Sequence, residues 1–140
     1  MRRGNYASML EAAALQEALD TLAAGYVRRL DLRVKTVDAD SVTLELAVAP
    51  ELVHGGGVLC GQAIMSAADT AMLVAMISRL DGFRPMTTVQ LQTSFLRPVP
   101  AETPVVQLTA RVLRLGKMLS YGEIELRTPD GKLAVHATAT

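Results

Sequence analysis

Val58-Leu59-Cys60-Gly61-Gln62-Ala63-Ile64-Met65-Ser66-Ala67-Ala68-Asp69-Thr70-Ala71-Met72-Leu73-Val74-Ala75-Met76-Ile77-Ser78-Arg79-Leu80 is the stretch on which the fold turns. It holds no proline, and its one glycine lies near its start. It is too long for a single strand, so it predicts a helix over 58–80. Asp81-Gly82-Phe83-Arg84-Pro85 supplies the stop. The helix is apolar nearly all round and must therefore be surrounded. Its length would suit a membrane. However, Asp69 falls mid-span, where an aspartate costs about 2.5–3.5 kcal/mol on insertion. The expectation is instead a sheet curled around the helix and burying every side of it.

The flanking segments supply that sheet. Upstream, 7–24 predicts a helix with Leu15, Leu19 and Leu22 on one stripe, and Gly25 is read as its end. Leu30 to Val37 alternates weakly, and Val42, Leu44, Leu46 and Val48 alternate cleanly. The polar turn at 38–41 makes these two runs a hairpin. A loop over 50–57 contains Gly55-Gly56-Gly57. Downstream, strands are expected over 86–96, 104–115, 118–127 and 133–140, the last after the turn Pro129-Asp130-Gly131-Lys132. The last three, closely joined, should form an antiparallel meander. The fold class is thus α+β: five to six antiparallel strands around one long central helix, in one domain over 1–140.

Composition narrows the function. Half of the 140 residues are hydrophobic, so a sizeable core is available. Fourteen cationic and fourteen acidic residues balance, which argues against a nucleic-acid binder. The 4% aromatic content without tryptophan argues against base stacking. A single cysteine, Cys60, precludes an intrachain disulfide and suits a reducing, cytoplasmic compartment. Met1-Arg2-Arg3-Gly4-Asn5 does not lead into a secretory signal. One cysteine and two distant histidines offer no metal-binding set, and no cofactor is expected.

Gln62, Ser66, Asp69 and Thr70 stand at i, i+4, i+7 and i+8, offsets that share one helical face. A carboxylate in a mostly buried helix is costly unless paired, hydrated or needed for chemistry. Asp69 is therefore the leading catalytic candidate.

At these residues the chain resembles a known family. Leu59 to Met72, with its Ala68-Asp69-Thr70-Ala71, is similar to the helix-start motif of hotdog-fold acyl-CoA thioesterases of the 4-hydroxybenzoyl-CoA and phenylacetate-pathway type. Thr88 to Pro98, ending Phe95-Leu96-Arg97-Pro98, resembles that family's strand. Arg114-Leu115-Gly116-Lys117 and Asp130 to Thr140 resemble its turn and last strand. The family motif runs His-Gly-Gly, with the carboxylate nine residues after the histidine. His54-Gly55-Gly56 invites a direct match, but nine residues on lies Ala63. Counting back from Asp69 gives Cys60, so Cys60-Gly61-Gln62 takes the His-Gly-Gly position, a departure from the pattern.

The resemblance implies a hotdog fold and hydrolysis of an acyl-CoA by a homodimer or dimer of dimers, with no nucleic-acid or membrane partner. Asp69 is then base or nucleophile. Gly61 lies in the helix's first turn, where free N–H groups and the helix dipole suit a thioester oxygen that becomes negative. About 12 Å of helix axis separates Gly61 from Asp69, so one chain cannot grip one carbonyl with both. Active sites shared across a dimer resolve this. Thr88 takes a Ser/Thr position that orients water, and His54 and Gln62 are candidate contacts to the thioester. Arg97, Arg114 and Lys117 are candidates for the CoA phosphates, with Cys60 and Ser66 as further substrate contacts. Cys60 has no adjacent base and reads as a buried thiol rather than a nucleophile. His136 reads as a strand-surface residue. Two other functions fit the fold: a non-catalytic acyl-CoA binder, and an enoyl-CoA hydratase or dehydratase.

Overall fold

The computed structural model describes residues 3–140; Met1 and Arg2, part of the N-terminal stretch read above, lie outside the described residues. Helices α1 (Arg3–Leu22) and α2 (Gly25–Arg28) precede strands β1 (Arg33–Val37) and β2 (Ser41–Ala47). A 3-10 turn (Pro50–Leu52) leads to α3 (Gly61–Leu80). Strands β3 (Leu91–Phe95), β4 (Val105–Arg114), β5 (Tyr121–Arg127) and β6 (Leu133–Ala139) follow. The six strands form one antiparallel sheet in the order β1-β2-β4-β5-β6-β3. α3 packs across one face of it, against β2 through β6. This is the hotdog arrangement that the resemblance implies.

Strand alternation builds the core. Leu44, Leu108, Leu126 and Val135 stand opposite one another on successive strands and form one inward row. Val42, Ala110, Ile124 and Ala137 form the next. All eight are buried, and each fully buried leucine or isoleucine contributes about 1.5–3 kcal/mol of transfer free energy. The third row is Val112, Gly122 and Ala139. Its side chains shrink to nothing at Gly122, and the end of Met72 fills the space over that residue. α3 presents Ala63, Ala67, Ala68, Ala71 and Ala75 among its buried residues, which lets the helix lie close to the strands.

One edge of the sheet is closed within the chain. Gln16 of α1 acts as a surrogate strand for β1: its Nε2 donates to the Leu32 carbonyl (3.1 Å) and its Oε1 accepts from the Val34 N–H (2.8 Å). Ala12, Leu15 and Leu19 bury the same helix's apolar stripe, while Leu22 stays 43% exposed. The other edge, β3, pairs only with β6 among the described residues. On the sheet's outer face His136 bonds Glu123 (3.2 Å), which agrees with a strand-surface role. At the β5–β6 turn the Thr128 hydroxyl, the Lys132 N–H and the Lys132 charge hold the Asp130 carboxyl below its usual range.

Four expectations are corrected. The first helix ends at Leu22, and Gly25 opens α2 instead of closing α1. α3 begins at Gly61, because Val58 and Leu59 are held extended by bridges to Pro100 and Val53. The strand expected over 86–96 is formed only over 91–95, which leaves Thr88 on an irregular segment. Finally, the sheet does not bury every side of α3. A single sheet covers one side of a helix, and here Gln62 is exposed, Met65 is 38% exposed, and Ser66, Asp69, Leu73 and Met76 are half-buried.

The close contact of Met72 and the β4 backbone with Gly122 makes a stability prediction. A Cβ on Gly122 would stand 2.4 Å from Met72 Cε and 2.6 Å from the Arg111 carbonyl oxygen. Met72 can move, but the strand backbone cannot. Gly122→Ala is expected to lower the unfolding free energy by about 1–3 kcal/mol. Urea titration followed by circular dichroism measures this, and an unchanged midpoint would show the β4–β5 pair to be more compliant than described.

Candidate functional site

The face of α3 that the sheet leaves open carries the polar stripe. Its N-terminus is set by Cys60, whose Sγ accepts from the Ala63 N–H (3.4 Å). The amides of Gly61 and Gln62, also in the first turn, have no acceptor within the helix. Asp81 adopts a left-handed conformation (φ 56°), and Gly82 N–H donates back to the Ile77 carbonyl (3.1 Å), which ends the helix.

Two clefts open along this helix. The larger, about 1140 Å³, contains Asp69, and the smaller, about 340 Å³, contains Gly61. In the larger cleft the Thr88 hydroxyl donates to Asp69 Oδ1 (2.5 Å). This is the one side-chain hydrogen bond that Asp69 makes among the described residues. Met72, Leu73, Met76 and Leu80 extend the wall beyond Asp69, and α1 and α2 close it with Leu22 and Val27. Arg84 and Lys117 also line it. Neither has a carboxylate within ion-pair distance among the described residues, whereas Arg33, Lys35, Arg111, Arg127 and Lys132 all do.

The smaller cleft joins the α3 N-terminus to the end of β3. His54, Gly61, Phe95 and Arg97 line it. His54 Nδ1 accepts from the Gly56 N–H (2.8 Å), so the neutral ring carries its proton on Nε2, where it can be donated. A Cβ on Gly61 would meet Phe95 Cζ at 3.3 Å, so any larger residue would intrude on this cleft. The cleft therefore presents a positive helix end, a ring N–H and a guanidinium. It can accept an oxygen that gains negative charge.

The structure thus gathers the predicted residues into two groups. Asp69, Thr88 and Lys117 share one cleft; His54, Gly61 and Arg97 share the other. Cys60 caps the helix beneath the second group. Gln62 is exposed on the same face, with no side-chain hydrogen bond among the described residues. Ser66 is committed within the fold: its hydroxyl donates to the Gln62 carbonyl (2.9 Å) and meets Tyr26 Oη (2.9 Å). Arg114 sits at the irregular end of β4, opposite Tyr121, and lines neither cleft. Arg84 was not foreseen. It follows the helix stop and precedes Pro85, and a cation held between a turn and a proline was the available signal.

Comparison with known proteins agrees with this fold. A family model described as the thioesterase superfamily matches residues 56–135. A Saccharolobus solfataricus protein named as a putative esterase is 32% identical over 108 residues, 77% of this chain and 75% of that one. Among solved structures, a conserved Pseudomonas aeruginosa protein superposes with a TM-score of 0.77 at 28% identity, covering 87% of this chain and 95% of the other. The Escherichia coli PaaI protein from the phenylacetic acid degradation operon has the same fold. It has a TM-score of 0.79 at 21% identity, covering 92% and 90%.

The Asp69–Thr88 pair lines a cleft, so its bond is open to solvent on one side. Thr88→Val is expected to change the unfolding free energy by less than about 1 kcal/mol, the net worth of an accessible hydrogen bond. A loss of more than about 2 kcal/mol in thermal or urea unfolding would show the pair to be structural.

Proposed function

We propose that this chain, which belongs to the thioesterase superfamily, hydrolyses an acyl-CoA thioester to the free acid and CoA at sites shared between two copies. One observation carries the reading. Asp69 with its Thr88 partner and the free first-turn amides at Gly61 lie on the same exposed helix face, but in two different clefts. About 12 Å of helix separates them, so they cannot act on one carbonyl within one chain.

Twofold pairing supplies the missing half. The β1 edge is occupied by Gln16, while β3 has a free edge, and Phe95 and Leu96 at its end are more than half exposed. A second copy added at β3 would also cover the open face of α3 that the sheet leaves uncovered. It would bring Asp69 of one copy toward the helix start of the other. A homodimer is the minimum unit, and a dimer of dimers is compatible with it.

Within such a site the thioester carbonyl sits at the α3 N-terminus. The Gly61 and Gln62 N–H groups and the helix dipole stabilise the oxyanion, and His54 Nε2–H is placed to donate as well. Asp69 either takes a proton from the attacking water or attacks the carbonyl carbon itself; Thr88 holds the carboxylate in place. In the first case water oxygen bonds to the carbonyl carbon, the C–S bond breaks, and the proton passes to the departing thiolate. In the second the Asp69 carboxylate bonds to that carbon as the C–S bond breaks, and water then hydrolyses the acyl-Asp69 anhydride to free acid and carboxylate, one water proton passing to the thiolate. Lys117 and Arg97 supply cations for the CoA phosphates, and Arg84 joins them. The single half-buried Cys60 fits the reducing cytoplasm in which acyl-CoA is made and used.

The test is release of free thiol from a panel of aliphatic and aromatic acyl-CoA esters, alongside sedimentation analysis. Turnover by a dimer or larger species is expected. Asp69→Asn keeps size but removes the charge, and should lower kcat about 100-fold or more with the assembly intact. Gly61→Ala should also lower turnover, and His54→Ala should cost less than either. A well-folded, fully active Asp69→Asn protein would remove the catalytic assignment. A monomeric, active protein would remove the shared site.

A further inference from the structure

We infer that Phe95 is a positioning residue for the smaller cleft: its ring screens the first-turn amides of α3 from water, and it is this ring that requires glycine at position 61. The inference rests on the hydrolase reading above and adds a residue to it. Residues directly opposite on paired strands project to the same face. Phe95 stands opposite Val135, so it continues the inward row of Leu44, Leu108, Leu126 and Val135. Those four are buried, yet Phe95 is 51% exposed. Two features leave its ring open. β3 pairs only with β6 among the described residues, so no strand covers its outer side. The helix above it begins only at Gly61, which has no side chain to lay over the ring.

Ring and helix start meet directly. A Cβ on Gly61 would stand 3.3 Å from Phe95 Cζ and 3.5 Å from Cε1, so the ring's edge lies against the bare Gly61 backbone. Backbone bonds hold both partners. The N–H groups of Leu96 and Arg97 both donate to the Ala134 carbonyl (2.8 and 3.1 Å), which pins the chain just after Phe95. Leu59 N–H donates to the Val99 carbonyl (2.9 Å) and Cys60 N–H to the Leu52 carbonyl (2.8 Å), which pins the chain just before Gly61. Phe95 and Gly61 line the smaller cleft together with His54 and Arg97. The first-turn N–H groups need an oxygen partner. They stabilise a developing oxyanion most where water is kept from competing for them. An apolar ring against Gly61 occupies one side of that space. A methyl group at position 61 leaves the N–H in place but pushes the ring outward and readmits water. The cost of Gly61→Ala is therefore transmitted through Phe95. Leucine at position 95 lacks both contact atoms, Cζ and Cε1, and leaves room for the methyl group.

The experiment is a double-mutant cycle. It compares the unsubstituted protein, Gly61→Ala, Phe95→Leu and the doubly substituted protein. kcat and KM are measured by thiol release from hexanoyl-CoA and phenylacetyl-CoA, with circular dichroism for folding and sedimentation for assembly. Phe95→Leu should lower kcat about tenfold with KM within about twofold, because the screened amides act on charge that develops only in the transition state. That loss is smaller than the roughly 10²–10³ that removing an oxyanion donor costs. Gly61→Ala should lower kcat about tenfold or more when Phe95 is present and less than about twofold when leucine replaces it, the non-additivity of residues in contact. An equal cost of Gly61→Ala in both backgrounds overturns the inference, because the glycine then serves the ligand and not the ring. An unchanged kcat in Phe95→Leu overturns it too. So does dissociation of the assembly by Phe95→Leu, which would make the ring an interface contact. Should Phe95→Leu fail to fold, Phe95→Ile, which also lacks the ring edge, takes its place in the cycle. No thiol release by the unsubstituted protein from these esters or the wider acyl-CoA panel overturns the hydrolase reading itself, and the inference with it.

Discussion

The contact on which the rest depends is that between the alanine-rich face of α3 and the inward rows of the sheet. Ala63, Ala67, Ala68, Ala71 and Ala75 let the helix approach the strands closely. Leu44, Leu108, Leu126 and Ile124 then fill the remaining space to interior density. Because this face is satisfied by the sheet, the opposite one is free to carry Gln62, Ser66 and Asp69. A carboxylate on the sheet side would be desolvated without a partner; on the open side it keeps access to water and to Thr88. Packing on one side of the helix thus makes chemistry on the other side possible.

The two ends of α3 then diverge. At the N-terminus the helix is held close, with Cys60 capping and Val58 and Leu59 tied into bridges, which leaves first-turn amides beside a small cleft. Toward the C-terminus a larger cleft opens, lined on α3 by Met72, Leu73, Met76 and Leu80. One helix therefore borders both clefts, with Gly61 at the smaller and Asp69 in the larger. The two edges of the sheet are unequal in the same way. Gln16 meets the Leu32 carbonyl and the Val34 N–H at the β1 edge from within the chain, and β3 pairs only with β6 among the described residues.

Much of this was legible in the residues. Clean alternation over 42–48, 106–112 and 133–139 predicted half-buried strands because one face of each packs on the core and the other meets water. The long apolar run predicted α3, and the i, i+4, i+7 spacing put Asp69 and Gln62 on one face. Where alternation was weak, long-range contacts decided. The run expected over Leu30 to Val37 forms a strand only from Arg33, and it pairs with a register shift between Val34 and Thr36, a bulge that no local pattern announces. Thr88 was read on a strand because threonine favours strands, yet it lies before β3, where the backbone is directed by bonds between Gln90 and Thr140.

By itself, the sequence determined the element types, the helix that carries the site and the face on which Asp69 lies, since these follow from local periodicity. The motif resemblance placed Gly61 in the helix's first turn, although the apolar run itself begins three residues earlier, at Val58. Only the tertiary structure decided which residues share a cleft. Asp69 and Thr88 are nineteen positions apart and meet because the chain returns beside α3. Arg84 and Lys117 come to the same cleft from opposite sides of the sequence. Met72 lies on bare strand because Gly122, which pairs with the small Ala139, carries no side chain. Such meetings depend on strand register and on the way one element packs on another, and neither is written in any short window of residues.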